Sequence, residues 1–187
     1  MEVILASQSP RRRELLGLFH LPFVIRIADI DETMDPALPP CEEVARVSRE
    51  KALAVSRNED DIVIAADTIV VCSGRVLGKP HTPREAEEML TLLSGRDHQV
   101  MTGVTVLRGQ NIQTVTEITD IHFRPLSKKE IAAYVATGEP MDKAGAYGIQ
   151  GGAALFAEKM VGDYYNVMGL PVCKLRQMLE SIAPELF

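Results

Sequence analysis

The period of the apolar positions changes several times along this chain, and each change marks an element. Residues 3–6, Val-Ile-Leu-Ala, form a short continuous apolar run that reads as a buried strand. After Ser7-Gln8-Ser9 the spacing becomes helical, with Leu15, Leu16, Leu18 and Phe19 as the apolar set. Ser9 is placed to cap that helix, and Pro10 fills its first position, where a missing N–H costs nothing. Residues 23–27 read as a second strand. Residues 35–40, with Pro36, Pro39 and Pro40, read as an extended loop. In the helix expected over residues 42–57, Val44, Val47 and Val55 share one face, Lys51 falls in its middle and Leu53 falls off it. Residues 62–66 are the clearest buried strand. The apolar run continues past Asp67-Thr68 through residues 69–72, and after the turn at Ser73-Gly74 residues 76–77 return as a short hairpin.

The second half alternates in the same way. Thr82-Pro83-Arg84-Glu85 reads as a capping box opening a helix that ends near Leu93 and closes at Gly95, with Ala86, Met89, Leu90 and Leu93 facing a core. Residues 94–98 read as a loop. Residues 99–107 and 112–123 are two long strands expected to pair antiparallel, with Thr116, Thr119 and His122 on exposed faces. Ser127 and Glu130 form a second capping box, for a helix closed by Gly138. Residues 143–152 are rich in glycine and small side chains, a texture that lets backbone approach a ligand or a neighbour closely. Residues 153–156 read as a strand and 162–166 as a loop. Pro171 opens a last amphipathic helix carrying Val172, Leu175, Met178, Leu179 and Ile182. Strands alternating with helices around one long hairpin predict a mixed α/β domain, taken here as a single domain over residues 1–187.

Charged residues add chemistry at a few places. Arg11, Arg12 and Arg13 occupy the first turn of a helix, where the macrodipole favours anions and disfavours cations. They are either solvated surface arginines or part of an anion site built from helix N–H groups, serine hydroxyls and guanidinium forks. The stretch is not a phosphate loop of the Gly-x4-Gly-Lys type. Asp67 interrupts the most apolar strand, a costly place for a carboxylate unless it is paired or holds a metal. Asp29, Asp31 and Glu32 leave the second strand together, either as a solvated acidic turn or as oxygen ligands for a hard cation. Lys51 either snorkels from its apolar face or reaches into a cleft, and Lys79 is either a surface lysine or a further phosphate contact.

The 187 residues carry a net charge of −6, which argues against general nucleic-acid binding and leaves room for a small phosphorylated ligand. Cys41, Cys72 and Cys173 have no zinc spacing and no disulfide framework, as expected of a cytoplasmic chain. No apolar run approaches the roughly 18 residues of a membrane span, so no membrane partner is expected.

Taken in order, several stretches resemble the motifs of one family. The opening Leu5-Ala6-Ser7-Gln8-Ser9-Pro10-Arg11-Arg12-Arg13-Glu14-Leu15-Leu16 is similar to the signature of the Maf family of nucleoside triphosphate pyrophosphatases. Glu32, Arg49-Glu50-Lys51-Ala52, Ala65-Ala66-Asp67-Thr68, Gly78-Lys79-Pro80, the run from Lys143 to Gly151 and Gly169-Leu170-Pro171 match later motifs, so the resemblance spans nearly the whole chain. It implies a fold like that of the inosine triphosphatases, with a mixed sheet flanked by helices and two lobes around a deep cleft. It implies hydrolysis of a nucleoside triphosphate to the monophosphate and pyrophosphate, a divalent cation (Mg²⁺ or Mn²⁺), and a cytoplasmic, often dimeric protein. The resemblance carries Asp67 as general base, with Ser7, Arg12, Glu32, Lys51 and Lys79 at the other active-site positions and Glu32 and Asp67 toward the metal. Arg11, Thr68 and Gln150 match the positions that set the dTTP/UTP-selective branch apart, and an amide such as Gln150 can both donate to and accept from a pyrimidine edge. The rival expectations are a purine-directed or methylated-guanine pyrophosphatase and a non-catalytic nucleotide-binding regulator of cell division. Gln8 stands where relatives commonly carry a small residue.

Overall fold

The computed structural model describes residues 1–35 and 37–187; Pro36, one of the prolines of the expected loop, lies outside the described residues. Among the described residues seven strands and six α-helices follow in the order β1 (Val3–Leu5), α1 (Pro10–Gly17), β2 (Val24–Ile25), α2 (Pro40–Val55), β3 (Ile62–Cys72), β4 (Arg75–Leu77), α3 (Pro83–Leu93), β5 (Asp97–Arg108), β6 (Asn111–Phe123), α4 (Lys128–Ala136), β7 (Ala157–Val161), α5 (Tyr164–Met168) and α6 (Val172–Ile182). The strands form one mixed sheet in the order β2-β1-β3-β5-β6-β7, with β4 paired to β3 beside that path. β1 runs parallel to β2 and to β3, aligning Leu5 with Ile64. β4 returns antiparallel on β3, and β7 pairs antiparallel with β6. Two residues join β5 to β6, a connection only an antiparallel pair permits. The mixed sheet with flanking helices is the expected fold class. Among the described residues no helix is long and apolar enough to cross a membrane.

The chain divides into two compact units, each assembled from separated segments. The first comprises Met1–Asp67, Thr102–Glu117 and Gly169–Phe187. Its α2 has the face read from the sequence: Val44, Val47, Lys51, Ala52 and Val55 are buried, while Leu53 is 52% exposed. Ala52 and Val55 pack with Val63 and Ala65 of β3, Ile4 and Ala6 of the first strand region, and Leu107 of β5. Each buried Val, Leu or Ile side chain there contributes about 1.5–3 kcal/mol. The start of α2 also approaches β5 at backbone distance, because a Cβ on Gly103 would lie 2.3 Å from the Val44 carbonyl oxygen. Beside it, Ser48 Oγ, Thr105 Oγ1 and Thr114 Oγ1 form a hydroxyl chain with links of 2.8 and 2.9 Å.

The second unit comprises Thr68–Met101 and Ile118–Met168. Its core gathers Leu90 and Leu93 of α3, Val100, Ile121, Phe123, Ile131, Tyr147 and Phe156. Ser127 and Glu130 form the full reciprocal box expected at the start of α4. At the start of α3, Thr82 accepts from the Glu85 N–H as expected, but the Glu85 carboxylate reaches past the cap to the His81 N–H.

Local expectations are corrected at several places. Leu18 faces solvent, because the first helix stops before it. The second strand shrinks to Val24–Ile25, both exposed. Asp97 and His98 belong to β5 rather than to a loop. Residues 153–156 form most of a 3-10 turn, and the strand follows at Ala157–Val161. Part of the expected 162–166 loop is the helix α5. Thr119 is fully buried, with its hydroxyl donating to the Asp163 carbonyl at 3.0 Å and accepting from Asn166 Nδ2 at 2.9 Å.

Candidate functional site

In the first unit β3 delivers Asp67. Strand side chains alternate faces, so Val63, Ala65 and Asp67 project together toward the side packed by α2. Lys51 lies on the buried face of that helix, one turn from Val47 and Val55, and is 7% exposed. Its ammonium donates to Asp67 Oδ1 at 2.8 Å and pairs with Glu32 Oε2 at 2.9 Å. A nearly buried lysine between two carboxylates resolves the choice between snorkelling and reaching in: Lys51 points into a charged cluster. Its placement also offsets the cost of a carboxylate within an apolar strand.

Glu32 has no regular element beneath it, and α2 holds its segment. Asp35 N–H donates to Glu43 Oε1 at 2.8 Å, and Arg46 Nη2 donates to the Thr33 carbonyl at 3.1 Å. Glu43 is fully buried and is gripped by Arg46 through its Nε, at 3.0 Å from Oε2, and through Nη2 on Oε1. These hydrogen bonds hold the Glu43 carboxyl below its usual pKa against the opposing effect of burial. Sequence reasoning missed both residues. The signal was present as the acid-base spacing Glu43-x-x-Arg46-x-x-x-Glu50 along one helix, whose last pair closes at 2.7 Å.

At the start of α1, Ser9 occupies the cap and Pro10 the first turn, as expected. Ser7 is buried, and its Oγ accepts from the Ser9 N–H and from Arg12 Nη1, both at 3.2 Å. Arg12 Nε donates to the Gly169 carbonyl at 2.8 Å, which fastens the first motif to the last. Burial lowers the Arg12 pKa, and the nearby charges of Asp67 and Glu32 work against that shift. Arg12 therefore turns inward, while Arg13 remains exposed.

The first unit thus brings together Ser7, Arg12, Glu32, Lys51 and Asp67. Thr68, Lys79 and Gln150 belong to the second unit. Thr68 follows Asp67 on β3 and points to the opposite face. Lys79 is exposed, and its neighbour Gly78 accepts from the Gly145 N–H at 3.0 Å, which joins the Gly-Lys-Pro loop to the glycine-rich segment. Gln150 is exposed on a turn closed by the Gly151 N–H donating to the Gly148 carbonyl at 3.1 Å. Arg11 is half-buried in the first unit.

Glu32 and Asp67 offer two carboxylates on one cation, and among the described residues no group of three or more acidic, histidine or cysteine side chains stands ready for a metal. Mg²⁺ characteristically takes one or two carboxylates and completes its shell with water and substrate phosphates, so this pair fits such an ion.

The family model described as Maf-like protein matches residues 2–182. The chain belongs to the Maf-like family. Curated relatives at about half identity agree over their length. A dTTP/UTP pyrophosphatase of Symbiobacterium thermophilum is 52% identical over 187 residues, 100% of this chain and 96% of the relative. One of Moorella thermoacetica is 50% identical over 181 residues, covering 95% and 93%. Among solved structures, a HAM1 protein from Coxiella burnetii matches 97% of this Maf-like chain and 99% of its own at 15% identity, with a TM-score of 0.48. A nucleoside-triphosphatase / dITP/XTP pyrophosphatase from Mycobacterium abscessus matches 67% and 76% at 12% identity, with a TM-score of 0.44.

Proposed function

We propose that this Maf-like protein is a nucleoside triphosphate pyrophosphatase that hydrolyses dTTP and UTP to the monophosphate and pyrophosphate. The observation that carries this reading is the meeting of Glu32 and Asp67 on the Lys51 ammonium, beside the Ser7–Arg12 pair. The substrate choice is supported by the dTTP/UTP pyrophosphatases at about half identity and by Arg11, Thr68 and Gln150 in the matching motif positions.

In this proposal the Ser7 hydroxyl and the Arg12 guanidinium bind phosphate oxygens, and Lys51 and Lys79 add positive charge to the polyphosphate. Lys51 has a second role before substrate arrives, because it keeps Asp67 and Glu32 paired. Phosphate oxygens compete for that ammonium and release Asp67 Oδ1 as a proton acceptor. Water forms a new bond to the α-phosphorus, the bond from that phosphorus to the bridging oxygen of the β-phosphate breaks, and pyrophosphate departs. Asp67 takes up the proton of the water as general base. A divalent cation, the group the family implies, would sit on Glu32 and Asp67 and supply charge neutralisation at the phosphates.

Pyrophosphate release from dTTP, UTP, purine and methylated-guanine triphosphates, with Mg²⁺, Mn²⁺ or EDTA, tests the proposal. Metal-dependent release confined largely to dTTP and UTP is the expected result. Preference for a purine overturns the branch, and binding without release overturns the chemistry in favour of a nucleotide-sensing role.

A further inference from the structure

The turn that carries Gln150 has an unusual support. Gly148 N–H, at its start, donates to the Tyr134 hydroxyl at 3.0 Å. Gly152 N–H, just past its end, donates to Glu139 Oε2 at 3.1 Å. The two anchors are themselves joined, because the Tyr134 hydroxyl donates to Glu139 Oε1 at 2.9 Å. One phenol and one carboxylate therefore hold both ends of a four-residue turn whose exposed tip is Gln150. Tyr134 comes from the last part of α4 and is 6% exposed, and its ring packs edge-on against Phe156 at 5.2 Å. Glu139 follows that helix directly. Its own N–H donates to Thr137 Oγ1 at 3.2 Å, and its carbonyl accepts from Lys143 Nζ at 2.7 Å, so its backbone is fixed on both sides.

The glycines of the turn match this support. A Cβ at Gly151 would lie 2.0 Å from Glu139 Oε1 and 2.4 Å from its carboxyl carbon, and one at Gly148 would lie 3.1 Å from Oε1. The carboxylate occupies the space that a side chain at Gly151 would need, whereas at Gly148 the nearer obstacle is the Lys143 side chain, with Cε at 2.6 Å. The phenol both donates and accepts, and each carboxylate oxygen takes one of these hydrogen bonds, which leaves neither partner easily replaced. Glu139 has no place in the phosphate chemistry above.

We propose that Glu139 is a positioning residue for substrate selection: together with Tyr134 it fixes the turn that presents Gln150 to the nucleobase. The proposal rests on the reading of Gln150 as the base contact, and deepens it by naming what holds the amide in register. Glu139→Gln preserves shape but loses at least one of the two accepted hydrogen bonds, since an amide offers one acceptor oxygen.

Steady-state kinetics with dTTP and dATP on the full-length wild type, Gln150→Ala, Glu139→Gln and the double variant, each with its thermal transition, test it. Gln150→Ala is expected to lower the dTTP-over-dATP ratio of kcat/KM about tenfold. Glu139→Gln is expected to lower it about fivefold, mainly through KM for dTTP, with kcat within about threefold of wild type. The double variant should fall no further than about twofold below Gln150→Ala, because both changes act on one contact. If Glu139→Gln leaves the ratio unchanged while Gln150→Ala lowers it, the positioning role is overturned and the role of Gln150 stands. Multiplying losses in the double variant, or an equal fall in kcat for both nucleotides, overturn it as well. If Gln150→Ala itself leaves the ratio unchanged, the reading of Gln150 fails and the proposal fails with it. Should Glu139→Gln lack a cooperative thermal transition, Tyr134→Phe takes its place, with the same loss of ratio expected and an unchanged ratio overturning the role.

Discussion

Around Asp67 the side chains that meet are charged: Asp67 stands on a central strand, Lys51 on a long helix, and Glu32 on a segment held by that helix. Around Gln150 the contacts are backbone N–H groups on a phenol and a single carboxylate, and they stand on a turn. The Asp67 cluster is tied by ion pairs of 2.8 and 2.9 Å to one ammonium. The Gln150 turn is tied by hydrogen bonds of 2.9 to 3.1 Å that carry no charge at its tip. Breaking a phosphoanhydride requires charge that any triphosphate will meet, whereas choosing a base requires donors and acceptors at a fixed place. On the function proposed above, the two regions differ as a group that acts on all substrates alike and one that sorts them.

The largest expected effect strikes the charged region. Asp67→Asn should cost about 10³-fold or more in kcat for dTTP and UTP alike, with the circular dichroism of the fold retained. A loss confined to one nucleotide would erase the distinction drawn between the regions. Next comes a pair of glycines in equivalent situations. At Gly103 the obstacle to a Cβ is the Val44 carbonyl of a helix, 2.3 Å away, and neither backbone can yield. Gly103→Ala should destabilise by about 3 kcal/mol, or roughly 10 °C in Tm, by overpacking, with the dTTP-over-dATP ratio unaltered. At Gly151 the obstacle is a carboxylate, which can move aside.

The acid response separates the regions again. Burial pulls the His98 pKa from 6.5 down to about 4, so this side chain, hydrogen-bonded through Nε2 to the Tyr147 hydroxyl at 2.9 Å, is neutral in the folded protein at pH 7. Between those values the unfolded chain binds the extra proton, so stability falls as pH drops through that window. The loss amounts to about 3 kcal/mol and is complete near the lower value. Glu43 has a pKa depressed below 4.5 by Arg46, so its contribution is intact above the unfolded value and fades only at lower pH. Urea unfolding of the wild type and His98→Gln at a series of pH values should show the upper window flattened in the variant. The smallest effect belongs to Gly151→Ala, which should push the Glu139 carboxylate away and lower the dTTP-over-dATP ratio about three- to tenfold, with Tm changed by only a few degrees.

How much of this was readable beforehand depends on how local the cause is. The face of α2 was legible because its period is set within one helix, and the same wheel that buried Val44 and Val47 placed Lys51 among them and Leu53 outside. Asp67 was legible as an anomaly in an apolar run. Thr119 was misread as exposed because its partners, Asp163 and Asn166, come from a segment more than 40 residues on. The last strand was misplaced because the more apolar residues 153–156 form a turn in which Leu155 is 75% exposed, while Ala157–Val161, with Glu158 and Lys159 in its middle, is recruited by pairing with β6. Glu139 offered no local signal, since its meaning lies in glycines nine to thirteen positions later.

The segments of the two units alternate along the chain, three for one and two for the other, so the polypeptide passes between them four times. Three of those passages fall inside β3, β5 and β6 rather than in linkers. Asp67 and Thr68, adjacent in one strand, fall to different units. Neither unit is therefore a cassette that a single recombination event could carry elsewhere. A chimaera exchanging one unit would need four junctions, three of them within strands.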